Sequence, residues 1–465
     1  DSFTLSNNID ASATASWNAG AGFAPIGNST TQFTGTFDGL GHTISDLTIN
    51  RPAQDNVGLF GFIGNGTLRN IGLVGGSVNG ADYVGGLAGQ VSSGNISNAY
   101  ATGTVSGNNY VGGLMGYFGS GNLGQSYATG NVSGVAVTSS YIGGLAGYLD
   151  GGGNYPSLLN VSDVYATGNV SAGVSGSNTA GSYIGGLAGF SSANISNAYA
   201  TGTISLSGYG NYSYIGGLVG YNGRSLEHVH ATGNINISSS GQYVGGLVGS
   251  NGNIYGDARI TYAYATGSIS AGVGSSGGAI YVGGLVGQNS AYIENAYATG
   301  NLVADPDGGF MLAGGLVGRN GEGNTPGSIS NVYATGNVDG GVLDMYLGGL
   351  VGQNLSIPRP SFISNAYSTG HVSGTLSGYS GGSVGDNKGI LQSVYWNTET
   401  SGQSSAGAYT AGAIGLTSAQ MMQAGSFGGF NGTPFYGSCI VCGSGISTTG
   451  GTGAAWRIYE GHTTP

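Results

Sequence analysis

Apolar residues recur along this chain in two short phrases rather than at helical spacing. The first reads aromatic, apolar, Gly-Gly-Leu, small or apolar, Gly: YVGGLAG from Tyr83, YVGGLMG from Tyr110, YIGGLAG from Tyr141 and Tyr183, YIGGLVG from Tyr214, YVGGLVG from Tyr243 and Tyr281. It continues as LAGGLVG from Leu312 and YLGGLVG from Tyr346, and fades to YSGGSVG from Tyr379. The second phrase reads NAYATG or a close variant, with its aromatic at Tyr100, Tyr127, Tyr165, Tyr199, Tyr264, Tyr297, Tyr333 and Tyr367, and with His230 taking that place once. From Gly85 to Gly381 the first phrase advances 296 residues in nine steps, and single steps run from 27 to 42 residues. Constant phrases separated by variable lengths predict a solenoid, in which rungs of fixed geometry are joined by loops of differing size.

The phrases are rich in Val, Ile, Tyr and Thr, and Gly recurs inside each of them, so the rungs are strands rather than helices. Small or apolar residues flank the Tyr of YATG, as at Ala99 and Ala101 or Val164 and Ala166. Side chains alternate across a strand, so the small residues face the interior and Tyr faces outward with the Thr two places on. Ile96, Leu123, Val161, Ile195, Leu226, Ile260, Ile293, Ile329 and Ile363 stand four residues before the aromatic and would face outward on a straight strand. A corner between them resolves the parity, and Asn98, Asn197, Asn295, Asn331 and Asn365 lie there, able to bond to backbone and to their equivalents one coil away. Leu87, Leu114, Leu145, Leu187, Leu218, Leu247, Leu285, Leu316 and Leu350 form an interior column. The expected fold is all-β, a parallel β-helix of about eleven coils with a spacing of about 4.8 Å. Residues 1–56 read as an N-terminal cap with the first irregular coils, 57–396 as the repeat solenoid and 397–465 as the C-terminal cap and junction. One small helix at most is expected, near 417–425.

Composition narrows the function classes. The chain has 465 residues, of which 100 are Gly and 6% are charged, and its net charge is −11. Eight cations spread over this length cannot form the basic stripe that phosphate neutralisation needs, which argues against nucleic-acid binding. No uninterrupted apolar run reaches the roughly 20 residues of a membrane-spanning helix, so no membrane insertion is expected. Low charge with 39% apolar residues is the reverse of a disordered composition.

The paired GGL and YATG phrases resemble GLUG-repeat proteins, and the lead-in GTFDGLGHTISDLTIN followed by VGLFG resembles the segment that precedes such repeats. The closing GTGAAWRIYEGHTTP resembles a junction in large exoproteins of the filamentous-haemagglutinin, two-partner-secretion type. The resemblance implies a right-handed parallel β-helix, secreted to the bacterial cell surface and used in adhesion or biofilm formation. It also implies an internal segment, since the secretion-domain motifs of that family are missing. GLUG repeats accompany immunoglobulin A peptidases too, but no HExxH stands in this sequence, so that activity does not carry over.

Chemical sites are sparse. Asp305 and Asp307 in DPDGG are two apart before a Gly turn, the arrangement of a Ca²⁺ loop or of an ordinary exposed turn. His228 and His230 would point the same way on a strand, yet no third ligand accompanies them. Cys439 and Cys442 frame CIVC, a pair suited to a local disulfide closing a terminal loop. No catalytic residues, metal site or cofactor are assigned. The expected function is a non-catalytic extracellular adhesive or filament segment, with a glycan-active enzyme, or a carrier for a domain elsewhere, as the alternatives. Its expected binding surface is the outward aromatic column Tyr165, Tyr199, Tyr264, Tyr297, Tyr333 and Tyr367. The partners expected are a glycan or protein on a host or neighbouring cell surface, or other copies of the chain.

Overall fold

In the computed structural model the chain forms a right-handed parallel β-helix, with 59% of residues in strands and 4% in helices. The structure describes residues 1–136, 140–152, 159–178, 181–210, 213–238, 242–252, 258–273, 279–306, 310–341, 345–356, 358–374, 379–430, 446–448, 456–458 and 461–465. Contacts divide it into two compact units, Asp1–Tyr243 with Leu247–Ala258, and Val244–Gly246 with Arg259–Pro465.

One coil of the first unit shows how the phrases fold. Ser182–Gly185 carries the start of the GGL phrase, Ala188–Ser191 follows a bend at the paired glycines, Asn194–Ala200 carries NISNAYA, and Ile204–Gly210 completes the circuit. The chain then returns to Ser213–Gly216 directly beside its start, pairing Tyr183 with Tyr214 and Ile184 with Ile215. The other faces keep the same register, with Ile195 beside Leu226 and Ile204 beside Ile235. Among the described residues the paired strands all run parallel, because each coil runs the same way round; the antiparallel contacts are isolated bridges such as Gly22 with Ile49. Loop length therefore varies without shifting a side chain to the wrong face.

The corner predicted from parity is a left-handed residue. Asn98, Asp163 and Asn197 in the first unit have φ of 49°, 57° and 51°, and His228 has 54°. Asn and Asp tolerate this conformation better than other residues with a Cβ. The turn rotates the strand, so Ile195, Ala198 and Ala200 are all buried although a straight strand could not bury the first with the other two. The corner side chains bond along the stack, Asn98 to Asn70 at 3.2 Å and Asn197 to Asp163 at 3.2 Å. In the second unit Asn331 donates to Asn295 at 3.3 Å and Asn365 to Asn331 at 3.2 Å.

The core is built of columns. Leu87, Leu114, Leu145, Leu187, Leu218 and Leu247 are fully buried in the first unit, as are Leu285, Leu316 and Leu350 in the second. A further interior column runs through Ile63, Val91, Phe118 and Leu149 and turns polar at Ser191 and Asn222. Asn222 donates to Asn251 at 2.8 Å, and in the second unit Asn289, Asn320, Asn354 and Asn387 form a chain of amide bonds of 2.8, 2.9 and 2.8 Å. These amides are buried, and the ladder satisfies groups that would otherwise be costly to desolvate. Sequence reasoning placed Asn only at the outer corner; the recurring Asn two residues after the Gly that ends the GGL phrase was its unread signal.

At the beginning of the first unit, Thr36–Asp38 and Thr43–Ser45 pair parallel with Phe60–Val74. A 3-10 segment, Ser12–Gly20, was not expected. It is interrupted by Trp17, Asn18 and Ala19, whose backbone is non-helical. Near the other end, Ser418–Met421 forms the expected short helix, closed by a capping box between Thr417 and Gln420.

Candidate functional site

The aromatic column read from the YATG phrase is a stack of parallel rings. In the first unit Tyr100, Tyr127, Tyr165 and Tyr199 follow one another at 4.8, 4.6 and 4.8 Å between centroids, tilted by no more than 6°. His230 continues the stack at 5.1 Å from Tyr199. In the second unit Tyr264, Tyr297, Tyr333 and Tyr367 repeat it at 5.0, 4.9 and 5.2 Å. The stacking follows from strand register: one Tyr per coil leaves each ring about one strand spacing from the next.

This geometry corrects the expectation in two respects. Ring faces are covered by the rungs above and below, so the interior rings offer edges and hydroxyls rather than faces on which a sugar could stack. Tyr367 is not part of an exposed stripe at all. It is 2% exposed, lies in a cluster with Tyr395, Leu416, Met421, Phe427, Phe430, Trp456 and Ile458, and donates its hydroxyl to the Pro465 carbonyl at 2.6 Å. The segment that covers it follows the repeats and carries apolar residues with no repeat pattern, so column logic alone could not reveal the contact.

Burial tunes the column's phenols. Desolvation, reinforced by neighbouring tyrosines, raises the pKa of Tyr127 and Tyr165, and pushes Tyr333 up to about 12. These hydroxyls therefore stay protonated as hydrogen-bond donors at neutral pH. Burial lowers the pKa of His230, which accordingly sits in the stack as a neutral ring. His228 is the left-handed corner residue of the same strand, and its Nδ1 lies 3.7 Å from Glu227 Oε1. Among the described residues no group of three His, Cys, Asp or Glu side chains converges as metal ligands. Asp307, Cys439 and Cys442 lie outside the described residues, and of Asp305 only the backbone is described, in the strand Leu302–Pro306.

The ladder opens on a groove. Gly72 stands beside Tyr100 in the register, and any Cβ there would collide with the Tyr100 ring. The ring leans over this glycine, leaving an open groove of roughly 450 Å³ lined by Leu40, Gly41, Asn70, Ile71, Gly72, Asn98 and Tyr100.

A second aromatic surface escaped sequence reasoning. In the first unit the leading tyrosines of the GGL phrase, Tyr83, Tyr110, Tyr141, Tyr183, Tyr214 and Tyr243, stack at 4.4 to 4.9 Å. Beside them Tyr117, Tyr148, Phe190 and Tyr221 form another column at 5.6, 4.6 and 5.1 Å. The columns interlock edge to face, as between Tyr141 and Tyr148 at 4.9 Å and 73°. The spacing i, i+7 between a phrase tyrosine and the next aromatic was the available signal. In the second unit that position holds Gln288, Arg319, Gln353 and Asp386, a polar column of which all but Arg319 are buried: the Arg319 guanidinium lies 5.3 Å over the Tyr281 ring and donates to its hydroxyl at 3.2 Å.

Comparison with known proteins bears on what these coils are. The family model described as "The GLUG motif" matches residues 80–106, 180–205, 211–236, 240–270, 278–303 and 311–339. Halomucin from Haloquadratum walsbyi is 48% identical over 107 residues, which are 22% of this chain and 1% of halomucin. A protein described as a Gly-rich membrane protein, from Evansella cellulosilytica, is 44% identical over 57 residues, 12% of this chain and 7% of the relative. The chain thus spans only a small part of the length of these relatives. No solved structure matches it. The match at 180–205 runs from the leading strand of one coil, through the bend and the Asn corner, into the strand that completes the circuit, so one motif is most of one rung, and the chain carries six such motifs.

Proposed function

We propose that this chain is a non-catalytic structural segment of a large surface-associated protein, and that it mediates adhesion or aggregation through the hydroxyl-bearing edges of its tyrosine ladders. The observation that carries this reading is the ladder of Tyr127, Tyr165 and Tyr199, whose faces are stacked and whose edges repeat once per coil. The relatives' descriptions, one of them a membrane protein, support placement at a surface. No helix among the described residues is long and apolar enough to cross a membrane. The partner is a glycan or protein on a host or neighbouring cell surface, or another copy of the chain, and the setting is extracellular, at the bacterial cell surface. Recognition by ring edges and hydroxyls is hydrogen-bonded and spatially periodic. With few charges on the chain, it depends little on salt.

Replacing Tyr127, Tyr165 and Tyr199 together by Phe keeps the stack and removes the hydroxyls. Binding to a glycan and matrix-protein array and self-association by light scattering are expected to fall, with the β signal in circular dichroism unchanged. Parent-level binding and association by this triple variant would assign the ladder a purely structural role.

A further inference from the structure

We propose that Tyr117 is a site of one-electron oxidation with Asp150 as its proton acceptor, and that it seeds dityrosine bonds between stacked tyrosines of successive coils. The Tyr117 hydroxyl donates to Asp150 Oδ2 at 2.7 Å. Asp150 immediately follows Leu149, the register partner of Phe118, so the pair joins one coil to the next. Its other carboxylate oxygen is fixed by the Gly152 amide at 2.9 Å and the Ser192 hydroxyl at 3.3 Å. A positioned base within hydrogen-bond reach of a phenol is the geometry that lets proton and electron leave together. This coupling matters because burial and the adjacent carboxylate raise the Tyr117 pKa, so the phenol cannot lose its proton first.

The surroundings turn that oxidation into a bond. Tyr117 has ring neighbours at 5.6 Å in Tyr148 and at 6.2 Å in Tyr83 and Tyr110. Tyr83 and Tyr110 are themselves 4.4 Å apart and within 8° of parallel. Both adopt left-handed backbone, with φ of 57° and 54°, a conformation bulky residues rarely take. In the step, an oxidant takes one electron from Tyr117 while its hydroxyl proton passes to Asp150, leaving a neutral phenoxyl radical with spin on the ortho carbons. A second oxidising equivalent removes an electron and a proton from a stacked neighbour. The two ortho carbons join, and each ring moves the hydrogen of its bonded carbon to its oxygen, restoring two phenols. The sum is one carbon–carbon bond gained, two electrons passed to the oxidant and two protons to solvent. The oxidant is any one-electron acceptor strong enough for phenols. The product is a staple between coils that reducing agents cannot open.

The test irradiates the full chain with ruthenium tris(bipyridyl) and persulfate, which accepts the electrons and ends as sulfate. Dityrosine fluorescence gives the rate, and peptide mapping gives the site, as a linked pair lighter by two hydrogen atoms. The link within one chain is expected at Tyr117–Tyr148, the ring stacked on Tyr117 from the next coil. Asp150→Asn should slow the formation of this link by roughly tenfold, less than the full worth of a positioned base because water replaces it, and Tyr117→Phe should abolish the link. Tyr409→Phe, at a residue 74% exposed, should leave the rate unchanged. The parent rate should also drop in deuterium oxide, a readout that does not depend on any variant folding. Parent-rate cross-linking in Asp150→Asn, links mapping elsewhere or between chains, or the absence of a solvent isotope effect would each overturn the proposal.

Discussion

Leu218→Asp is expected to unfold the first unit at ordinary temperature. Leu218 is fully buried, and its amide donates to the Leu247 carbonyl at 2.8 Å, so the backbone cannot swing the new side chain outward without breaking the ladder. Removing the leucine forfeits about 1.5–3 kcal/mol of burial. The carboxylate adds a larger cost, because the column offers it neither cation nor donor and it must protonate or pull water inward. A loss on the order of 5 kcal/mol approaches the whole stability of an ordinary domain. Thr201→Asp, at an exposed outward position one coil earlier, should change stability by no more than about 0.5 kcal/mol. Thermal unfolding followed by circular dichroism separates the two. Equal losses at both sites would mean that the inward and outward faces are assigned the wrong way round.

The second large effect is expected at Gly202, the glycine of an ATG triplet. A Cβ there would lie 1.9 Å from the Gly168 carbonyl oxygen and 2.6 Å from its carbon, atoms of the neighbouring coil's backbone. The same contact recurs at Gly130, Gly168 and Gly233, at 1.8 to 2.0 Å from the glycine one coil earlier, so the triplet's glycine sets how closely successive coils approach. Since the obstacle is backbone rather than a movable side chain, Gly202→Ala must push coils apart and should cost at least about 3 kcal/mol. Gly173 has no atom within 4 Å of its would-be Cβ, so Gly173→Ala should be tolerated. Comparable melting temperatures for the two alanine variants would contradict the close approach.

Much of this architecture is legible in the sequence because a parallel solenoid writes each structural position into the same place of every repeat. The interior Leu column, the Ile and Ala of the NISNAYA strand, and the corner Asn all follow from that rule. The corner was readable because an apparent conflict of parity, Ile195 against Ala198, has a single local remedy in a residue that accepts positive φ. What escaped had one of two causes. The second aromatic column and the interior Asn chain replace one another's neighbours partway along the repeats, at positions held by Gln90, Tyr117 or Ser250 in one case and by Val91, Leu149 or Asn222 in the other. Positional drift of that kind dilutes a pattern even where the backbone is constant. Burial of Tyr367 arises from Phe427, Phe430 and Trp456, which belong to no repeat and whose contact is purely tertiary. For the YATG column, the availability of ring faces depends on stacking distance, which a single rung does not encode.

The in-register stacking of successive GLUG rungs is the claim on which the ladders, the groove and the proposed oxidation site all depend. Disulfide trapping tests it most directly, in a background with Cys439 and Cys442 changed to Ser. Ser162 and Ser196 are register partners on adjacent coils, both partly exposed, whereas Glu227 is the partner of Ser196 one coil further on. A disulfide needs Cα atoms within about 7 Å, a separation met by neighbouring parallel strands and exceeded across two. Under mild oxidation the Ser162→Cys, Ser196→Cys chain should close an intramolecular disulfide readily, while the Ser162→Cys, Glu227→Cys chain should remain reduced. Failure of the first pair to close, or closure of the second at an equal rate, would contradict the stacked register.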